Sequence, residues 1–506
     1  MSKLVFLLAN ACVGCVNLSA LGNGSDSLAR STPEAQGVSS SAILAFVESA
    51  NERQDIHSLM LVRHGHVVAE GWWAPYEAQT RHSMFSLSKS FTSTAVGLAI
   101  EEGKLKIDDP VLKLFTNDAP PELSENLRAM RLRDLLRMNT GQHADDMTNF
   151  SFNSEEPLVK LFLSMPVAHK PGTHFWYNTP ATFMASAMVQ KATGQTVLDF
   201  LRPRLFDPLG IADPVWEERQ GITLGGSGLS IRTEDIARFG QLYLQKGRWN
   251  GKQLLSVVWV EEATARQTSN GSNPESDWEL GYGYQFWRTR HGFYRGDGAF
   301  GQFCIVMPQY DAILAMTSGT TNMGAVMNLV WDKLLPAFHP RKLKAAHAAR
   351  EKLQSTLAGL MLNPQTGSTA QPSATEMSCR TFLFPTNSQG LEAVTLQSGK
   401  NGGATLGLRF NGTEQRIVCG NGVWRTGRTA YVAGAERRVM PESERLVAAS
   451  GGWTANDTYT AKLCYYETPL CATIRLKFSP DQVLLETEHS VAFGPAKQPQ
   501  LVGTAK

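Results

Sequence analysis

The stretch His82-Ser-Met-Phe-Ser-Leu-Ser-Lys-Ser-Phe-Thr-Ser93 sets five serines around one lysine. In a helix, residues three or four apart share a face, so Lys89 meets Ser86 on one side or Ser93 on the other. The Cα–Cβ bond tilts toward the helix N-terminus and long side chains lie back over the preceding turn, which aims the amine at Ser86. Ser88 and Ser90 point elsewhere. If the helix begins near Ser86, the serine's own N–H is a first-turn donor without an intrahelical partner, suited to an oxyanion. One residue then supplies an attacking oxygen and half of an oxyanion hole beside an amine that can take the proton, which are the needs of acyl transfer. Ser-x-x-Lys also arises by chance in a chain of this length, and serines commonly begin helices, so the surrounding sequence has to decide.

Two further stretches bear on the question. Pro171-Gly-Thr-His-Phe-Trp-Tyr-Asn-Thr-Pro180 is a turn that delivers a tyrosine just ahead of a helical pattern. Arg295-Gly-Asp-Gly-Ala-Phe-Gly-Gln302 is a glycine-rich join entering a β run, where bare backbone can approach a ligand closely. Taken with these, the chain resembles the class C β-lactamase-like serine hydrolases, which include penicillin-binding proteins, esterases, D-aminopeptidases and 6-aminohexanoate-dimer hydrolases. The resemblance spans roughly Ser39 to Phe338. It rests on Ser86-Leu-Ser-Lys89, Tyr177-Asn-Thr179 and Gly296-Asp-Gly298 in the family's order. Supporting segments are Leu132-Arg-Asp-Leu-Leu-Arg-Met-Asn-Thr-Gly141, Gly226-Ser-Gly-Leu229, Asp235-Ile-Ala-Arg-Phe-Gly240 and Gly281-Tyr-Gly-Tyr284.

The resemblance implies an α+β fold, an antiparallel sheet with flanking helices and an all-helical region. It also implies that Ser86 attacks a carbonyl and becomes acylated, that Lys89 lies against it, and that Tyr177 shuttles protons. The Ala299 N–H after Gly298 would be the second oxyanion donor. Either Lys89 or Tyr177 could be the base: the amine needs a lowered pKa, and a tyrosine beside a cation ionises more easily.

Two departures from the family bear on substrate. Thr179 stands where the motif carries asparagine, leaving only a hydroxyl to contact Lys89 or a substrate amide. Gly296 stands where β-lactamases carry the lysine that helps hold a carboxylate, which favours small esters or uncharged amides. Arg295 could compensate, although strand alternation points it to the other face. Asp297 is either a turn residue or a partner for a cationic substrate group. Within the enzyme class the alternative is a β-lactamase or D-specific peptidase; outside it, a non-catalytic binding protein of the same fold.

At 506 residues the chain is long enough for two or three units. A net charge of +2 and a pI near 8.1 do not suggest nucleic-acid binding. Lys3 and the apolar run Leu4 to Val16 read as an export signal over residues 1–22, with a periplasmic or secreted product. A lipoprotein cysteine at Cys15 is the weaker reading, because Cys12 stands where such sites usually carry leucine. No later apolar run is of spanning length. The hydrolase-like region is expected over 36–340, with a late strand at Gly283 to Arg288 and a last helix around Ala325 to Phe338, and a charged helical segment with a linker over 341–377. Short β-prone runs between glycine and asparagine turns then predict a separate antiparallel β domain over 378–506.

Cys379, Cys419, Cys464 and Cys471 allow three pairings; Cys464–Cys471 across a hairpin and Cys379–Cys419 are the expected disulfides, with Cys304 left alone and buried. The implied chemistry calls for no cofactor. His64-Gly-His66 flanks a hairpin turn with no further metal ligands at suitable spacing. His143, Asp145 and Asp146 follow a helix end as loop residues or as part of the cleft rim. Oligomeric state is not legible.

Overall fold

Residues 27–143, 150–368, 380–399, 402–432 and 444–506 are described by a computed structural model. The export signal expected over 1–22, Asp145, Asp146 and Cys379 lie outside the described residues.

The hairpin read around Gly65 forms the strands Ile56–Arg63 and His66–Trp72. They join the late strands into one seven-stranded sheet, in the order Ala29–Arg30, His66–Trp72, Ile56–Arg63, Ala312–Ser318, Gln302–Met307, Tyr294–Gly298 and Trp287–Arg288. All neighbours are antiparallel except the first pair. Its three central strands are buried along their whole length. Alternation therefore sorts two apolar faces. Met60, Val62, Cys304, Val306 and Ile313 join the core under the helices Ser88–Glu101 and Thr233–Leu244. Leu59, Leu61, Ile305, Leu314 and Met316 pack with helix Ser40–Arg53 and the segment Met323–Ala337.

Helix starts follow their caps. Ser39 accepts from the Ala42 N–H and Asn178 from the Ala181 N–H, opening helices Ser40–Arg53 and Thr179–Thr193. Two expected elements come out differently. The strand expected over Gly283–Arg288 is only Trp287–Arg288, because the chain first turns back on itself, with the Gly283 N–H on the Phe286 carbonyl and Gln285 at φ 66°. The last helix begins at Met323 and widens into a looser turn over Val330–Leu334.

Beyond helix His347–Ala358 stands a ten-stranded antiparallel sheet. Its order runs Thr413–Cys419, Ala404–Phe410, Leu391–Ser398, Thr381–Leu383, Leu501–Ala505, Gln482–His489, Cys471–Phe478, Thr458–Cys464, Arg445–Ala455 and Arg425–Thr429. The two ends curl together, with Gln415 accepting from the Ala430 N–H at 3.0 Å and the Gly420 carbonyl from the Gly451 N–H at 2.8 Å. The sheet thus nearly closes, which covers otherwise exposed edges. Ala472, Ile474, Leu476 and Phe478 point inward while Thr473, Arg475 and Lys477 point out.

The expected Cys464–Cys471 disulfide is not formed, and Cys379 of the other expected pair lies outside the described residues. Cys464 and Cys471 do oppose one another across the hairpin, yet both are free thiols, and the buried Cys464 instead contacts the Tyr76 hydroxyl. Cys419 is a free thiol inside the barrel, where burial pushes it up to about 12. Cys304 is buried as expected, beneath Gly240. No described helix is long and apolar enough to cross a membrane.

The fit of helix Thr233–Leu244 on the sheet depends on Gly240, where a Cβ would stand 2.8 Å from Ile313 Cγ2 and 2.9 Å from the Cys304 sulfur. Gly240→Leu is expected to cost about 1–3 kcal/mol by overpacking, read as a lowered urea midpoint at unchanged slope.

Candidate active site

Ser86 sits in a tight turn, Phe85–Leu87, that runs straight into helix Ser88–Glu101. Its N–H therefore lies in the first turn, where helical geometry supplies no carbonyl. Phe85, just before it, has φ 45°, a left-handed conformation that is rare for a bulky residue. The serines separate by role. Ser88 donates to the Phe85 carbonyl at 2.6 Å and accepts from the Leu229 N–H, and Ser90 donates to the Gln285 carbonyl. The buried Ser93 hydroxyl has no partner. Only Ser86 is joined to the lysine.

Lys89 is almost fully buried, at 1% exposure. Its Nζ lies 3.0 Å from Ser86 Oγ, 3.2 Å from Thr179 Oγ1 and 2.7 Å from the Gly226 carbonyl. Those three oxygens come from the turn Phe85–Leu87, the start of helix Thr179–Thr193 and the glycine loop before Leu229. Burial drives the amine down to about 7, against the opposing pull of Asp297.

Tyr177 ends the turn ahead of Asn178, the cap of its helix, and its ring centre lies 5.0 Å from Lys89 Nζ. The ring stacks on Trp287 at 5.2 Å and meets Tyr282 edge-on. Its hydroxyl lies near the Ser86 side chain, which pulls the phenol slightly down. Burial and then Asp297 push the phenol upward, so the expected ease of ionising is reversed. The cation reasoned to help it is itself held near neutrality.

The strand Tyr294–Gly298 runs against the Ser86 turn with no room for a side chain at Gly296 or Gly298. A Cβ on Gly296 would stand 2.5 Å from Leu87 Cδ1 and 2.6 Å from Ser90 Oγ, and one on Gly298 would stand 2.1 Å from the Met84 carbonyl. Ala299 follows and lines the same cavity as Ser86 and Thr179. Asp297 is a strand residue and not a turn residue. Its carboxylate pairs with Arg295 at 2.8 Å, and both are buried. Arg295 also donates to the Asp277 carbonyl and lies over Trp278. The two charges are thus paired with each other behind the cavity wall.

The cavity holds about 630 Å³. Its wall includes Phe85, Phe152 and Leu224 from the first region, and Arg445, Glu467, Thr468, Leu470 and Phe493 from the barrel. The barrel residues carry no motif and could not be picked out from the sequence; Gly226 stood in a glycine run already noted, but its carbonyl's part did not show. His143 is exposed on the outside, its ring 5.8 Å from His174, and is not in the wall. His64 and His66 hold the hairpin turn, and no described cluster of three acidic, histidine or cysteine ligands fits a metal.

This fold, with a serine, a buried amine, a tyrosine and a glycine strand around one cleft, defines the class of β-lactamase-fold hydrolases. The β-lactamase family model matches residues 45–334, more than half of the chain, and the chain belongs to that family. It is 23% identical over 299 residues to a 6-aminohexanoate-dimer hydrolase of Paenarthrobacter ureafaciens, covering 54% of this chain and 74% of that protein. It is 29% identical over 150 residues to a lovastatin esterase of Penicillium rubens, covering 25% of this chain and 37% of that protein. A solved structure similar to it is the octameric penicillin-binding protein homologue from Pyrococcus abyssi, with TM-score 0.47, 12% identity, and coverage of 92% of this chain and 99% of that one.

Gly298→Ala drives a methyl into the Met84 carbonyl and is expected to destabilise by about 1–3 kcal/mol or more. Gly427→Ala, where a Cβ meets nothing within 4 Å, is the control expected to leave the thermal midpoint within a few degrees of the parent.

Proposed function

We propose that the protein is an exported serine hydrolase that cleaves a small ester or amide through an acyl-enzyme on Ser86, with Lys89 as the base. The observation that carries this reading is the Lys89 amine, 3.0 Å from Ser86 Oγ and lowered to about 7 by burial. A neutral amine has two N–H groups and one lone pair. The Gly226 carbonyl and Thr179 hydroxyl take the two hydrogens, which leaves the lone pair for the Ser86 proton.

In the first half-reaction the Ser86 proton moves to Lys89 as Oγ bonds to the substrate carbonyl carbon. The Ser86 and Ala299 N–H groups receive the developing oxyanion. The C–O or C–N bond to the leaving group then breaks, and the leaving group takes a proton relayed from Lys89 through the protonated Tyr177 hydroxyl. Water repeats the sequence on the acyl-enzyme and frees the acid. Tyr177 works here as a proton carrier, because its phenol is held protonated. Without a lysine at position 296 a substrate carboxylate has no fixed charge there, which supports esters and uncharged amides over β-lactams.

Ser86→Ala is expected to abolish p-nitrophenyl ester hydrolysis with an unchanged circular dichroism spectrum; retained turnover would show that another group attacks. The pH profile follows from Lys89. Below about 7 the amine is protonated and cannot accept the serine proton, so kcat/KM should fall about tenfold per pH unit there. Above about 7 it should level off. A profile still rising steeply to pH 9 or 10 would assign the base to a group of higher pKa.

A further inference from the structure

We infer that Phe493, carried on the barrel between the strands Gln482–His489 and Leu501–Ala505, is a positioning residue for the oxyanion hole, so that the C-terminal domain completes the active site. The inference rests on the reading of Ser86 and Ala299 as the two oxyanion donors. Each of those residues adjoins a phenylalanine with left-handed backbone: Phe85, before Ser86, has φ 45°, and Phe300, after Ala299, has φ 66°. Such a conformation costs a bulky residue about 1–3 kcal/mol and persists only where its surroundings over-determine it.

The surroundings here are the two rings themselves and a third. Phe85 and Phe300 meet edge-on with centres 5.5 Å apart. Phe493 stands against both, 5.6 Å from Phe85 and 4.8 Å from Phe300. The backbones are tied separately, since Ser88 donates to the Phe85 carbonyl while Ser318 and the Thr320 N–H donate to the Phe300 carbonyl. Those bonds hold each segment to its own neighbour but not one segment to the other. Beside the close backbone contact of Gly298 with Met84, the aromatic trio spans from the Ser86 turn to the residue after Ala299, and it adjusts the separation of the two N–H groups.

Phe493 is 60% exposed, so burial of its own surface is a weak reason for its place. The barrel is fastened at this point, with the Ser83 N–H on the Glu467 carbonyl at 2.8 Å and Tyr76 donating to the Thr468 carbonyl at 2.8 Å. A residue projecting from that wall is therefore held against the donors.

The test uses methylboronic acid. Its boron accepts the Ser86 oxygen, the serine proton passes to Lys89, and one boronate oxygen takes the oxyanion position. Its methyl group is too small to serve as a ligand for the aromatic wall. In the full-length protein, Phe493→Ala should weaken inhibition by methylboronic acid about tenfold and lower kcat for p-nitrophenyl acetate about tenfold, with KM changing less than about threefold. Phe493→Tyr, which restores the ring, should recover both. Thermal melts accompany each variant; if Phe493→Ala melts far below the parent, Phe493→Leu is read in its place with the same expectation. Unchanged methylboronic acid inhibition in the ring-less variant, even with a raised KM for longer esters, would overturn the inference and leave Phe493 a wall residue. Failure of methylboronic acid to inhibit the parent protein, or turnover by Ser86→Ala, would instead refute the role of Ser86, and the inference with it.

Discussion

A buried lysine amine is the constraint around which this site is organised. Lys89 cannot be hydrated where it lies, and an amine without partners in such a place would be costly. The chain meets the requirement with three oxygens from three separate segments: the Ser86 hydroxyl, the Thr179 hydroxyl and the Gly226 carbonyl. Satisfying one nitrogen therefore pins the Ser86 turn, the start of the helix after Tyr177 and the glycine loop to a common point. The same burial that demands these partners lowers the amine's proton affinity, so the arrangement that stabilises the site is also the one that suits it to take a proton.

Close backbone contact is the second constraint. The strand Tyr294–Gly298 approaches the Ser86 turn so tightly that neither Gly296 nor Gly298 has room for a Cβ. This accounts for the missing lysine in physical terms: no side chain of any kind fits at position 296 without moving Leu87 and Ser90. Arg295 and Asp297 neutralise each other under Trp278, two residues apart on one face of the strand, and serve the packing behind Tyr177.

The barrel changes what the cleft can be. A cavity formed by the first region alone would be open on the side where Glu467, Thr468, Leu470 and Phe493 stand. Substrate selection on this reading belongs to residues of both regions, and relatives matched only across the first region say little about the wall the second one supplies. The free cysteines fit the same picture. Cys464 lies in the interface, buried against Tyr76, where a small apolar side chain packs well without a covalent link.

The sequence by itself determined the elements whose cause is local. The lean of Lys89 toward Ser86, the caps at Ser39 and Asn178, the hairpin at Gly65 and the alternation of the barrel strands each follow from spacings of two, three or four residues, and periodic patterns record such spacings directly. It also carried the family, through three short motifs in order. Only the tertiary structure decided which oxygens surround the Lys89 amine, because Gly226 is more than a hundred residues away and contributes a carbonyl that every residue has. The same holds for the ion pair that occupies Asp297, the turn that replaces the expected strand at Gly283, the unbonded cysteines, and the phenylalanine that reaches the site from the other domain. Burial and backbone contact between distant segments are properties of the packed chain, and a carbonyl or an exposed ring leaves no pattern in the sequence to announce which partner it will meet.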